Sequence, residues 1–188
     1  MTSRHLQLAD GFLKYVVFGD PNWNVLRFDY DRDFPVALAK VGKSLDAIDP
    51  NLEPLERRGA KLIVYHGWSD ASIPPMNSVN YYESVVSHLG ARRSREQALA
   101  KTQDFFRLFM VPGMNHCSGG PGTDNFDMLT ALETWVEKGV APARILASHL
   151  TGGKVDRTRP LCPYPQVAAY SGSGSTDEAA NFVCRAPR

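Results

Sequence analysis

K-L-I-V-Y-H-G-W-S-D, Lys61 to Asp70, is the stretch on which the fold turns. From Lys61 to His66 it is an apolar run carrying β-branched Ile63 and Val64, which predicts a strand buried on both faces. It then breaks into a polar loop that closes on Asp70. The pattern returns at Phe105 to Val111, where a second apolar run stops at Pro112-Gly113 and opens into G-M-N-H-C-S-G-G-P-G. Between the two, Val79, Tyr82, Val86 and Leu89 recur at spacings of three and four, predicting a helix over 77–89 with Asn77 or Ser78 as N-cap. Beyond them, Phe126, Leu129, Leu132 and Val136 predict one face of a helix that ends at Gly139. Arg144 to Leu150 reads as a last short strand. Upstream, residues 20–43 carry the turn signals D-P-N-W-N and D-Y-D-R-D-F-P and read as irregular packed coil leading into a short helix. Strand, helix, strand, helix with crossovers of this length is an α/β pattern of parallel strands covered by helices.

A chain of 188 residues suffices for one domain or a large part of one. Its formal net charge of +1 gives no argument for nucleic acid or an acidic partner. The basic stretch Arg92, Arg93, Arg95 is short and interrupted, and reads as a solvated loop. No window reaches the ~20 apolar residues of a membrane span, and the N-terminus lacks the basic-then-apolar pattern of a signal peptide. The expectation is a soluble chain with no membrane and no nucleic-acid partner.

In an open parallel sheet the loops at the carboxyl ends of the strands line the site. Asp70 and His116 both fall in such loops, after successive strands, and so at one edge of the sheet. An aspartate there can fix an imidazole in one tautomer while the imidazole takes a proton from a hydroxyl. The order Asp then His is that of the α/β-hydrolases, whose serine precedes both. Only Ser3, Ser44 and Ser69 precede Asp70, and none sits in a G-x-S-x-G elbow. Ser118, two residues after the histidine with no helix starting at it, is set aside. His66 reads as a structural histidine bonded to nearby backbone, and Trp68 as packing under the Asp70 loop. No C-x-x-C or H-x-x-x-H spacing is present, so no metal and no cofactor are assigned.

Three cysteines occur. Cys162 and Cys184 bracket a Pro-, Gly- and Ser-rich segment with little apolar periodicity, and a disulfide closing a loop of that size contributes about 3 kcal/mol. Such a bond implies an oxidising compartment. Cys117 is then left over, either as a free thiol or with a partner outside the chain.

Four motifs carry a resemblance to a known family: K-L-I-V-Y-H-G-W-S-D-A-S-I-P-P, F-F-R-L-F-M-V-P-G-M-N-H-C-S-G-G-P-G, A-L-E-T-W-V-E-K-G-V-A-P and R-T-R-P-L-C-P-Y-P. In this order they closely resemble the C-terminal part of the tannase and feruloyl esterase family of α/β-hydrolases. The resemblance implies an ester hydrolase of phenolic or aromatic acid esters, in which Asp70 is the triad acid and His116 the base. It implies that Cys117 bonds to a cysteine just before the nucleophilic serine in C-S-x-G-G. The family's nucleophile half, and its lid with a calcium site and most aromatic-substrate contacts, have no counterpart in these residues. The chain is therefore expected to be the C-terminal portion of the catalytic domain, from a secreted or periplasmic parent. Ile73, three residues after Asp70, is expected to line the substrate pocket. Exposed apolar strand edges predict self-association, or completion by a missing N-terminal segment. A catalytically inactive fragment serving as a structural or interaction module is the alternative reading.

Overall fold

The computed structural model describes residues 3–187, and the chain divides between Asp49 and Pro50 into two compact units. In the first, α1 (Arg4–Gly11) is capped by the Ser3 hydroxyl, which accepts from the Leu6 N–H at 3.2 Å, and winds on as a π-helical segment, Phe12–Phe18. Two short helices follow, α2 (Asp33–Ala37) and α3 (Lys43–Leu45). Before α2, around a single 3-10 turn at Val25–Arg27, aromatic side chains pack on one another: Phe18 stacks on Trp23 with centroids 4.7 Å apart, and Phe28 meets Tyr30 edge-on at 5.0 Å. The scattered aromatics of the expected coil are thus its packing. The helix that precedes them was not foreseen.

The second unit holds the site. After α4 (Glu53–Arg57), β1 (Leu62–Gly67) lies parallel to β2 (Phe106–Val111), in register from Leu62 opposite Phe106 to Gly67 opposite Val111. The crossover is α5 (Met76–Leu89) and α6 (Arg95–Gln103), the latter begun by a capping box of Ser94 and Gln97. Successive side chains of a strand point to opposite faces, and β2 uses both. Phe106 and Leu108 join Val79, Tyr82, Val85, Val86 and Leu89 of α5 in one core cluster. Phe109 and Val111 join Met114, Ile145, Ala147 and Leu161 in another. Each such fully buried side chain contributes roughly 1.5–3 kcal/mol.

β1 departs from expectation. It borders β2 on one side only among the described residues, and its Tyr65 is 42% exposed, so it is not buried on both faces. Ser78 lies inside α5 instead of capping it, because the helix starts at Met76 after Pro75. The basic stretch is exposed, with Arg95 spanning the Glu83 carboxylate at 2.7 and 2.8 Å.

Beyond β2 the all-parallel expectation fails. β3 (Asn125–Phe126), β4 (Ile145–Thr151) and β5 (Lys154–Leu161) form an antiparallel sheet in the order β3-β4-β5. A two-residue turn at Gly152-Gly153 joins β4 to β5, too short for a parallel crossover. α7 (Met128–Lys138) ends at Gly139, in the left-handed conformation with φ 69°. Its buried residue is Trp135, with Met128, Ala131 and Leu132 half-buried, while Leu129 and Val136 are exposed, so the inward face is rotated from the expected one. Phe126 belongs to β3 and packs edge-on against Tyr65 at 5.2 Å. Finally β6 (Val167–Tyr170) and β7 (Phe182–Arg185) pair antiparallel, and Cys162 and Cys184 are bonded with Cα atoms 5.5 Å apart. The segment read as featureless is a stapled pair of strands.

Candidate active site

β1 and β2 end side by side, so the loops that follow them share one end of the parallel pair. Backbone bonds lock these loops together. The Trp68 N–H donates to the Val111 carbonyl at 2.9 Å and the Ser69 N–H to the Met114 carbonyl at 3.0 Å. The Asp70 loop and the His116 loop are thereby joined through their backbones.

His116 Nδ1 lies 2.8 Å from Asp70 Oδ2. The two residues picked from the strand-end loops are therefore in direct contact. The Asp70 side chain is 3% exposed and that of His116 54%, so a buried acid faces a half-exposed imidazole. Asp70 Oδ1 accepts from the Ser72 N–H at 2.7 Å and the Ile73 N–H at 2.9 Å. Burial alone would push the Asp70 carboxyl up. The Ile73 N–H, the His116 ring and the Ser72 N–H together outweigh it and hold the carboxyl well below the usual carboxylate range. Asp70 is an anion at neutral pH. Facing that anion, His116 Nδ1 carries a proton, and in the neutral ring Nε2 is left as the basic position.

His66 has more partners than the nearby backbone that the sequence reading gave it. Its ring bonds one backbone carbonyl, Ile73 O at 3.2 Å, but also two side chains: Asp70 Oδ2 at 3.1 Å from Nε2 and Ser78 Oγ at 2.7 Å from Nδ1. The one available signal was its place at the end of β1, four residues before Asp70.

Ile73 is 45% exposed and lines a cleft of about 120 Å³ with Tyr65, His66, Met114, His116 and Cys117. Cys117 is exposed and unbonded, and its φ of 66° puts a residue other than glycine in the left-handed region. Such a conformation costs about 1 kcal/mol. Trp68 does not pack beneath the loop. It is 44% exposed and lines a larger cavity of about 610 Å³, with Met110, Arg159 and Tyr164, that includes neither Asp70 nor His116. Among the described residues no group of three His, Cys, Asp or Glu side chains is arranged to hold a metal ion, and no helix is long and apolar enough to cross a membrane.

The chain is similar to several known proteins. The chain is 41% identical over 211 residues to an uncharacterised esterase of Xanthomonas campestris pv. campestris, covering 96% of this chain and 37% of that protein. It is 47% identical over 173 residues to the mono(2-hydroxyethyl) terephthalate hydrolase of Piscinibacter sakaiensis, covering 87% of this chain and 27% of that one. Its fold is similar to the crystal structure of feruloyl esterase B from Aspergillus oryzae, with a TM-score of 0.79 and 30% identity over 94% of this chain and 37% of that one. The chain thus spans between about a quarter and two fifths of the length of these relatives. The Tannase and feruloyl esterase family matches residues 3–185, nearly end to end, and the chain belongs to that family.

Proposed function

We propose that the chain supplies the acid and the base of a serine-type carboxylic ester hydrolase acting on phenolic or aromatic acid esters. The observation that carries the reading is the contact of His116 Nδ1 with the anionic Asp70 carboxylate, which leaves Nε2 as a base on a half-exposed ring. In the proposed cycle a serine from a C-S-x-G-G segment outside these 188 residues attacks the ester carbonyl as its hydroxyl proton passes to His116 Nε2. His116 returns that proton to the departing alkoxide as the C–O bond breaks, leaving an acyl-serine. A water then gives a proton to Nε2 and attacks the acyl carbon, and Nε2 passes that proton to the serine oxygen as its bond to the acyl carbon breaks and the acid is released. Throughout, Asp70 orients the ring and stabilises its charged form. Cys117, exposed and unbonded, is read as the partner of a cysteine beside that serine.

The aromatic acyl group is inferred from the names of the relatives, a terephthalate monoester hydrolase and feruloyl esterases. A 120 Å³ cleft at the dyad holds only part of such a group, so the remaining contacts come from the nucleophile half and lid. Ile73 is proposed to touch the substrate. The Cys162–Cys184 bond supports a secreted or periplasmic parent working in an oxidising compartment. The open side of β1, with Tyr65 exposed, is the edge a completing segment or a second copy would take.

The test is complementation. The chain alone is expected to hydrolyse a p-nitrophenyl ester no faster than its Asp70→Ala or His116→Ala variants, because it lacks nucleophile and oxyanion hole. Joined to the N-terminal half of a relative, it should gain activity that His116→Ala abolishes. Activity that survives His116→Ala in the completed protein overturns the assignment.

A further inference from the structure

Asp70 Oδ2 faces two imidazoles. His116 Nδ1 approaches at 2.8 Å and His66 Nε2 at 3.1 Å, while Oδ1 takes the Ser72 and Ile73 N–H groups. A carboxylate accepts about four hydrogen bonds, and all four positions are filled by nitrogen donors of this chain.

The tautomer of His66 follows from its partners. Nε2 has only acceptors before it, the Asp70 carboxylate and the Ile73 carbonyl at 3.2 Å, so it carries the proton and divides it between them. Nδ1 of the neutral ring then accepts from the Ser78 hydroxyl at 2.7 Å. Ser78 sits in the first turn of α5 and holds the ring from behind, and the ring is only 11% exposed. An apolar residue would fill the gap between β1 and α5 with no polar atoms to satisfy. The histidine instead aims both nitrogens at partners, one of them the acid that holds His116.

We propose that His66 acts on His116 through Asp70: as a positioning residue it shares Oδ2, and so limits how strongly the carboxylate holds the protonated His116 ring. The inference rests on the reading of His116 as the proton carrier and adds a group which that reading does not use. The longer His66 distance, with its proton split between two acceptors, makes it the weaker of the two donors. Removing it returns a lone pair of Oδ2 to His116 alone. Besides the dyad and His66, the titratable groups at the cleft are Tyr65 from β1 and Cys117 beside the base.

The experiment follows the imidazoles directly, on this chain with ¹⁵N-labelled histidine, in wild type, His66→Phe and His66→Gln. The five histidines are assigned with His116→Ala and the corresponding single substitutions. His66→Phe is expected to raise the pH midpoint of His116 titration by ~0.5 unit, because the protonated ring gains a larger share of the carboxylate charge. His66→Gln, which offers an N–H to the same oxygen, should bring the midpoint back. Ser78→Ala, which frees the His66 ring without emptying the space, should raise it by a smaller amount and serves if His66→Phe does not fold. An unchanged midpoint in folded His66→Phe or Ser78→Ala makes His66 purely structural. A lowered one means that His66 holds Asp70 in place without sharing its charge. Either overturns the proposal. Failure of the catalytic reading would show elsewhere, as activity of the completed protein that survives His116→Ala.

Discussion

Gly67, the last residue of β1, lies against the carbonyl oxygen of Met114, three residues after β2: a Cβ at position 67 would stand 2.2 Å from that oxygen and 2.6 Å from the carbonyl oxygen of Asn115. The same Met114 oxygen accepts the Ser69 N–H, so the Asp70 and His116 loops meet where no side chain fits.

Gly67→Ala therefore tests whether the loops depend on this approach. The methyl group must push the Met114–Asn115 backbone away, at a cost of about 1–3 kcal/mol. Urea denaturation should show that loss, and the His116 ring resonances should move with it. An alanine variant as stable as wild type, with unchanged His116 resonances, would mean that the loop backbone yields freely.

Acid should erase what Asp70 contributes. Its carboxyl is held below the ordinary value of 3.8 in the folded chain, despite its burial, by the Ile73 N–H, His116 and the Ser72 N–H. A group depressed on folding lends stability that is complete above its unfolded value and is lost as pH falls toward its folded one. Asp70→Asn should accordingly be less stable than wild type at pH 7, with the gap closing below about pH 4. A gap that stays constant from pH 7 to pH 2 contradicts the assignment of that charge.

The cysteines should separate cleanly. With Cys162 and Cys184 bonded and Cys117 exposed, intact mass after alkylation of the native chain should show one adduct, and three after reduction. Reduction should also cost about 3 kcal/mol of stability. Three adducts without reductant would remove the argument for an oxidising compartment.

Tyr82 offers a prediction in the opposite direction. Among the described residues its buried hydroxyl has no well-formed hydrogen bond, the Gln103 amide beside it donating to the Tyr164 carbonyl at 3.0 Å. Burial pushes the phenol far above its usual range. Tyr82→Phe should leave stability unchanged or raise it by up to ~1 kcal/mol, since an unsatisfied buried group is removed without loss of shape. A loss greater than that in thermal or urea unfolding would reveal a partner for the hydroxyl.

What could be read in advance has a common physical origin. β1, β2 and α5 announce themselves by apolar periodicity, and their loops by polar residues after an apolar run, which is how Asp70 and His116 were found. β5 has no such signal. K-V-D-R-T-R-P-L is largely polar, and it is a strand because β4 supplies its hydrogen bonds. In α7 the apolar residues surround more than one face, and only packing under β1 and β2 chooses Trp135, which Lys61 and Arg107 flank at 5.4 and 5.3 Å. His66 was legible as a residue but not as a partner, because its bond to Ser78 depends on where α5 begins, and Pro75 rather than Ser78 sets that point.

The way Asp70 is held also divides its partners by their distance along the chain. Its contacts with Ser72, Ile73 and His66 span two, three and four residues of chain, and the His66–Ser78 bond spans twelve, whereas His116 comes from 46 residues away. Short loops close at little entropic cost and long ones at more. The Asp70 carboxylate is thus held mostly by its own segment of chain, and His116 is its one distant partner among the described residues. A cut between α5 and α6 would leave His66, Ser72, Ile73 and Ser78 on the same piece as Asp70, and put His116 and the Val111 and Met114 carbonyls on the other.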